Sequence, residues 1–307
     1  MIYKRAHAMK ILTLSDFLKQ KYGQKIYKLS LESGCTCPNR DGTLGYGGCT
    51  FCTAGGSGEF AEQVTLDDID KQIEAAKQRI IKKVPSGQKK FIAYFQSYTN
   101  TYGDTGRLYE LYEKVIRRDD IVILSIGTRP DCIDDEKLEM LVRLNRIKPV
   151  WVELGLQTIH DSTAERIHRG YPTSVFEECY HRLKAAGLTV IVHVILGLPG
   201  ENYKDMLETV RYLSSLNPEL DGIKLQMLNI LEGSQMAADY RREPFTQMTM
   251  EEYTDLVVEC LRLLPEKTVI HRMTGDGPRK LLISPKWVTD KKRVMNMLRK
   301  KIQLAER

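Results

Sequence analysis

Short apolar runs alternate with amphipathic stretches along most of this chain, and no other feature narrows its fold as much. The runs are YKLSL (27–31), KFIAYFQ (90–96), IVILSI (121–126), VWVEL (150–154), LTVIVHVIL (188–196) and GIKLQML (222–228). Most are rich in β-branched or aromatic residues and bounded by Gly, Ser or Asn, which marks buried strands. The stretches after Gly103, Asp134, Asp161, Thr173 and Glu201 have helical periodicity. Thr65 is a candidate N-cap before Leu66, Asp67 and Asp68, with acids in the first turn. Lys184-Ala185-Ala186-Gly187 reads as a helix stop with Gly just past the end.

Strands that alternate with helices pair in parallel through right-handed crossovers. Six strand–helix units fall short of a closed eight-stranded barrel, so the expected fold is α/β, a partial (β/α)6 TIM-like barrel. Chemistry in such folds sits at the C-terminal ends of the strands. The core is expected over 27–230, after a basic N-terminal segment over 1–26. A C-terminal extension over 231–307 follows, with a Thr249-capped helix to about Leu264 and a basic tail, packed on the barrel.

The composition, 42% hydrophobic and 28% charged over 307 residues, is that of a globular protein. No apolar run approaches the roughly 20 residues that span a bilayer, and Met1–Arg5 has no apolar stretch after it that would make a secretion signal. A cytoplasmic location is expected, where clustered cysteines point to metal or redox chemistry more than to disulfides. The net charge of +6 is uneven: residues 1–30 carry seven Lys/Arg and one Asp, and residues 279–307 ten Lys/Arg and two acids. Basic ends around an acidic body suit a phosphate-bearing partner beside a separate catalytic core, or simply solvated termini.

The cysteine segment follows the first strand directly: Gly34-Cys35-Thr36-Cys37-Pro38-Asn39-Arg40-Asp41-Gly42, then Gly47-Gly48-Cys49-Thr50-Phe51-Cys52. The C-x-x-C turn places two thiolates on one side of a tight loop, and Cys37 supplies a third, with eleven residues between it and Cys49. Thiolates are natural iron–sulfur ligands. Cys35 with the other three would instead make a closed four-thiolate zinc site, although C-x-C is tighter than the usual zinc arm. Cys132, Cys179 and Cys260 stand alone and are expected to be inert buried residues. His160, His168, His181, His193 and His271 show no ligand spacing, so most are expected to be ordinary polar or core histidines.

CPNRDGT…GGCTFC resembles the radical S-adenosylmethionine (SAM) subgroup with an expanded cluster motif. The chain is distantly similar to the Elongator catalytic subunit and oxygen-independent coproporphyrinogen oxidase. The resemblance covers about Tyr27 to Trp287. It implies a [4Fe-4S] cluster on Cys37, Cys49 and Cys52, with one iron open to SAM and Cys35 not a ligand. It implies reductive cleavage of SAM to a 5′-deoxyadenosyl radical, fed by an electron donor such as flavodoxin or ferredoxin. SAM contacts are expected at successive strand ends. Gln96, Ser97 and Asn100 stand where the superfamily has Gly-Gly-Glu. Arg129 suits a carboxylate. Glu153 and Gln157 lie in an E-x-G-x-Q string, and Gly197 and Leu198 open an adenine-side Gly-Leu-Pro-Gly-Glu turn. Taken singly, each of these strings has a plain structural explanation; their order along successive strands is what joins them. The resemblance further implies tRNA as substrate, remodelled at the wobble uridine from a carboxymethylaminomethyl to an aminomethyl group. A small molecule or peptide is the enzymatic alternative, and a zinc-containing RNA-binding protein the non-enzymatic one.

Overall fold

Six apolar runs form six parallel strands, and two short strands extend the sheet beyond them. The computed structural model describes residues 10–56, 68–85, 87, 89–275 and 277–305. Its strands are β1 (Leu12–Thr13), β2 (Tyr27–Leu31), β3 (Phe91–Phe95), β4 (Ile121–Thr128), β5 (Val150–Gln157), β6 (Thr189–Leu196), β7 (Gly222–Met227), β8 (Ile230–Leu231), β9 (Val269–Arg272) and β10 (Leu282–Ser284). Its α-helices are α1 (Leu14–Tyr22), α2 (Ile69–Ile80), α3 (Thr105–Ile116), α4 (Asp135–Asn145), α5 (Asp161–Arg166), α6 (Thr173–Ala185), α7 (Tyr203–Ser214), α8 (Gln235–Arg242), α9 (Met250–Leu263) and α10 (Lys291–Ala305).

The eight-stranded sheet runs β1-β9-β7-β6-β5-β4-β3-β2, every pair parallel, while β8 and β10 form a separate antiparallel pair. From β2 to β7 each strand adds beside its predecessor, as successive right-handed crossovers require. The sheet is curled into a partial barrel, and the ion pairs inside it show the curl. Lys28 on β2 and Lys224 on β7 both bond Glu153 on β5. A flat sheet with strands about 4.8 Å apart would hold Lys28 too far away.

Local chemistry accounts for the helix ends. Thr249 and Glu252 form a reciprocal capping box at α9, and Asn202 with Asp205 forms another at α7. Gly187, with φ +75°, follows the end of α6. Thr65, Leu66 and Asp67 lie outside the described residues; α2 begins at Ile69 with the Asp68 side chain as its cap. The main core joins the outer face of the sheet to the helices through residues such as Leu29, Phe95, Leu124, Val152, Val192 and Leu225. The C-terminal segment adds α9 and α10, which pack on each other, and β9, which lies between β7 and β1. No helix among the described residues is long and apolar enough to cross a membrane.

Candidate active site

The strand ends and the cysteine loop enclose one cavity. Cys37, Cys49 and Cys52 line it, together with Gln96, Arg129, Glu153 and Gln157 from β3, β4 and β5. Cys35 does not. It is buried in the main core, where its Sγ accepts from Arg107 Nη2 at 3.5 Å. The structure therefore groups three of the four loop cysteines and directs the fourth elsewhere.

Asn39 holds the loop to the barrel. Its Nδ2 donates to the carbonyls of His168 (2.7 Å) and Arg169 (3.1 Å) and lies 3.7 Å from Cys49 Sγ. Gly170 is required opposite it: its φ is +83°, and a Cβ there would stand 2.5 Å from Asn39 Oδ1. Gly48 has φ +87° and admits the Arg40 side chain, which a Cβ would meet at 2.8 Å. Backbone bonds from Thr50 to Ile167, from Met236 to Thr50 and from Thr99 to Thr36 fasten the loop to its surroundings.

Arg129 is 7% exposed and grips Asp131 with Nε at 2.9 Å and Nη2 at 2.6 Å, while Nη1 donates to the Arg169 carbonyl at 2.9 Å. Burial opposes its charge, but Asp131 outweighs burial and raises its pKa. Its guanidinium and that of Arg169 both lie over the Tyr171 ring, at 4.8 and 4.9 Å. Arg169, fully buried, donates to the carbonyls of Leu156, Thr158 and Tyr171 and so fixes the end of β5. Nothing in the sequence marked Arg169 or Tyr171, because their importance rests on carbonyls that only the fold brings together.

Glu153 has a richer setting than the sequence implied. Its Oε1 accepts from Lys28 Nζ (2.8 Å) and Ser125 Oγ (2.7 Å); its Oε2 faces His193 Nε2 (2.7 Å) and Lys224 Nζ. Burial works to raise its pKa, yet Lys224, Lys28 and His193 hold the carboxyl well below the usual range. Burial likewise lowers His193, to about 4, so its imidazole is neutral near pH 7. His193, expected to be ordinary, lines the cavity, as does Lys224. Each is a charged or titratable residue set in a mostly apolar strand, and that was the signal available.

Ser97 and Asn100 lie off the cavity wall. Ser97 Oγ donates to Glu32 at 3.0 Å, and Asn100 ties β4 to the loop after β2 through Gly127 O (2.8 Å) and Ser33 Oγ (2.7 Å). Gly197 (φ +89°) packs against Met227 and Met248, and Leu198 sits in a small apolar cluster with Ile167 and Leu228.

Two buried polar atoms at the wall, Gln96 Nε2 and Gln157 Oε1, have no hydrogen-bond partner among the described residues. An unpaired buried amide costs about 1–3 kcal/mol, so a polar ligand that pairs with both is favoured here. The thiols are similarly crowded. The hydrogen bond to Cys52, then burial, then the charges of Cys52 and Cys37 push the Cys49 thiol well up, and a bound cation removes that penalty. The donor set thus fits a thiolate-ligated cluster beside a small polar cofactor.

The fold and the site define a class. The chain matches the radical SAM superfamily over residues 32–213 and the radical SAM C-terminal domain over residues 220–303. It belongs to the radical SAM superfamily, whose enzymes use a [4Fe-4S] cluster and SAM. Among its relatives, it is 40% identical to protein YtqA of Bacillus subtilis, covering 95% of this chain and 89% of that protein. It is 24% identical to the tRNA uridine(34) acetyltransferase of Methanocaldococcus jannaschii, over 53% of this chain but only 30% of that protein. Among solved structures it resembles Elp3 of Methanocaldococcus infernus, with a TM-score of 0.65 and 17% identity, covering 90% of this chain and 63% of that one.

Proposed function

We propose that this radical SAM enzyme binds its cluster through Cys37, Cys49 and Cys52 and modifies tRNA. The wobble uridine is its target, changed from a 5-carboxymethylaminomethyl to a 5-aminomethyl substituent. The N–CH2 bond to the carboxymethyl group is broken, and water supplies the oxygen with which that group leaves as glyoxylate. SAM, cleaved to methionine and 5′-deoxyadenosine, takes up the two electrons. When bound, the cluster and SAM supply a 5′-deoxyadenosyl radical. The chain's own residues position and shield that chemistry: Gln96 and Gln157 offer amide groups to SAM, and Arg129 offers a fixed positive charge at the strand ends. A small protein carrying flavin or iron–sulfur, flavodoxin or ferredoxin, delivers the electron. Distant relatives that act on tRNA uridine 34 favour this substrate.

The observation that carries the RNA partner is a basic groove that shares Arg272 with the cavity. Lys19 on α1 and Lys291 and Arg299 on α10 line it, with Asp16 the acid beside them. Its wall is the end of β9, and Arg272 there lines both the groove and the cavity. Basic residues from both end segments, Lys19 on one side and Lys291 and Arg299 on the other, thus share one groove at the β1 edge of the sheet. Lys4 and Arg5 lie outside the described residues. Lysines that neutralise phosphates release counterions, so tRNA binding is expected to weaken steeply with salt. Charge reversal at Lys19 and Arg299 together should weaken it by a similar factor for any tRNA, since phosphate contacts position rather than specify.

Nucleoside analysis tests the substrate. Anaerobic incubation of reconstituted enzyme with SAM, reductant and tRNA bearing 5-carboxymethylaminomethyluridine is expected to deplete that nucleoside and yield 5-aminomethyluridine. An unchanged nucleoside profile, with SAM cleaved, would transfer the activity to a small molecule or peptide.

A further inference from the structure

We propose that Lys224, held with Lys28 on Glu153 inside the barrel, forms a receptor for a carboxylate carried by the substrate. This deepens the tRNA assignment above and rests on it. Two ammonium groups share one carboxylate: Lys28 Nζ bonds Oε1 at 2.8 Å and Lys224 Nζ bonds Oε2. Both lie over the Tyr94 ring, at 4.4 and 4.5 Å, and Lys224 also donates to the Tyr94 hydroxyl at 2.9 Å. His193, the remaining partner of Oε2, is neutral near pH 7 and cancels nothing. Glu153 and Lys224 are 1% and 3% exposed, yet both line the cavity.

A purely structural pair would be one to one. Here a second lysine, Lys28, half-buried and off the cavity wall, also draws on Glu153, so Lys224 on the wall stands amid a surplus of positive charge, to which Arg272 on the same wall adds. Burial already lowers Lys224 well below an ordinary lysine, against the pull of Glu153. A negative charge arriving beside it favours the ammonium form and offsets the surplus, and a carboxylate on a flexible side chain can supply it. The array also lies deeper than the strand ends. Glu153 stands four residues before Gln157 on β5, roughly 13 Å at the rise of a strand. A side chain of the substrate that reaches into the barrel would place its terminal group there. The carboxymethylaminomethyl substituent ends in such a carboxylate; in the conversion the carboxylate leaves with the two-carbon fragment as glyoxylate, so the aminomethyl RNA is no longer held by the receptor.

The test uses reconstituted holoenzyme with SAM and two synthetic anticodon stem-loops. One carries 5-carboxymethylaminomethyluridine and the other its neutral carboxamide. Wild-type protein is expected to bind the carboxylate about tenfold tighter, as one charge-assisted bond to a buried lysine allows, and Lys224→Gln is expected to remove the preference. Should Lys224→Gln not fold, Glu153→Gln combined with Lys224→Gln removes both charges together, and the wild-type comparison needs no variant. Equal wild-type affinity for both stem-loops overturns the receptor while leaving tRNA as substrate. Binding of neither overturns tRNA and the receptor with it. A Lys224→Gln protein that keeps the preference but forms less 5′-deoxyadenosine from SAM without RNA also overturns it, and assigns the lysines to the carboxylate of SAM.

Discussion

Glu153→Ala is expected to lower the unfolding free energy by about 3–5 kcal/mol, the cost of breaking a buried charge pair from one side. The carboxylate joins strands far apart in the sheet, since it bonds Lys28 of β2, Ser125 of β4, His193 of β6 and Lys224 of β7. Its removal leaves two ammonium groups inside the barrel with no carboxylate between them. Replacing Lys224 with Met in the same protein should recover part of the loss, because residues in one network do not add independently. Urea unfolding near pH 7.5 with an unchanged slope measures both, and a loss below about 1 kcal/mol would show that water reaches the lysines freely.

The pH dependence follows from the same network. Glu153 has a depressed pKa in the folded state, so its stabilisation is present above the unfolded carboxyl pKa of about 4.3 and is lost as pH falls further. His193 titrates at about 4 when folded and near 6.5 when unfolded. The unfolded chain therefore binds the extra proton first, and stability should decline from about pH 6.5 towards 4 before the carboxylate itself is protonated.

The body of the sheet was legible because its strands are apolar and β-branched. Tyr27–Leu31 agrees to the residue; β4 to β7 each match the expected bound at one end and differ by one to three residues at the other, and β3 is shorter by one residue at both ends. The two added strands were not legible. Leu12–Thr13 is too short to show a period, and Val269–Arg272 has polar residues in half its positions; both depend on pairing with distant partners. The cavity was half legible. Motif strings at strand ends located Gln96, Arg129, Glu153 and Gln157, but sequence order cannot tell which way a side chain points, and Ser97 and Asn100 turn to Glu32 and Gly127 instead. Glu153 is the clearest case. The string that marked it says nothing of Lys28 and Lys224, which meet it only once the sheet curls.

Cys37→Ala, Cys49→Ala and Cys52→Ala are each expected to lose the cluster, and with it all cleavage of SAM. Three thiolates on one cavity wall can hold three irons and leave the fourth for SAM. Cys35→Ala is expected to behave otherwise. Its Sγ sits in the core beside Arg107, and the change removes only a small buried side chain, at a modest cost in stability. A closed four-thiolate zinc site would need Cys35 at the same wall and would fail equally with any of the four.

The decisive measurement is therefore iron content and 5′-deoxyadenosine yield, taken side by side on anaerobically reconstituted wild-type, Cys35→Ala and Cys37→Ala proteins given SAM and a strong reductant. Wild type and Cys35→Ala should hold a full cluster's iron and release 5′-deoxyadenosine, and Cys37→Ala should do neither. Retention of iron and product by Cys37→Ala, or S-adenosylhomocysteine as the sole product of the wild type, would contradict this account.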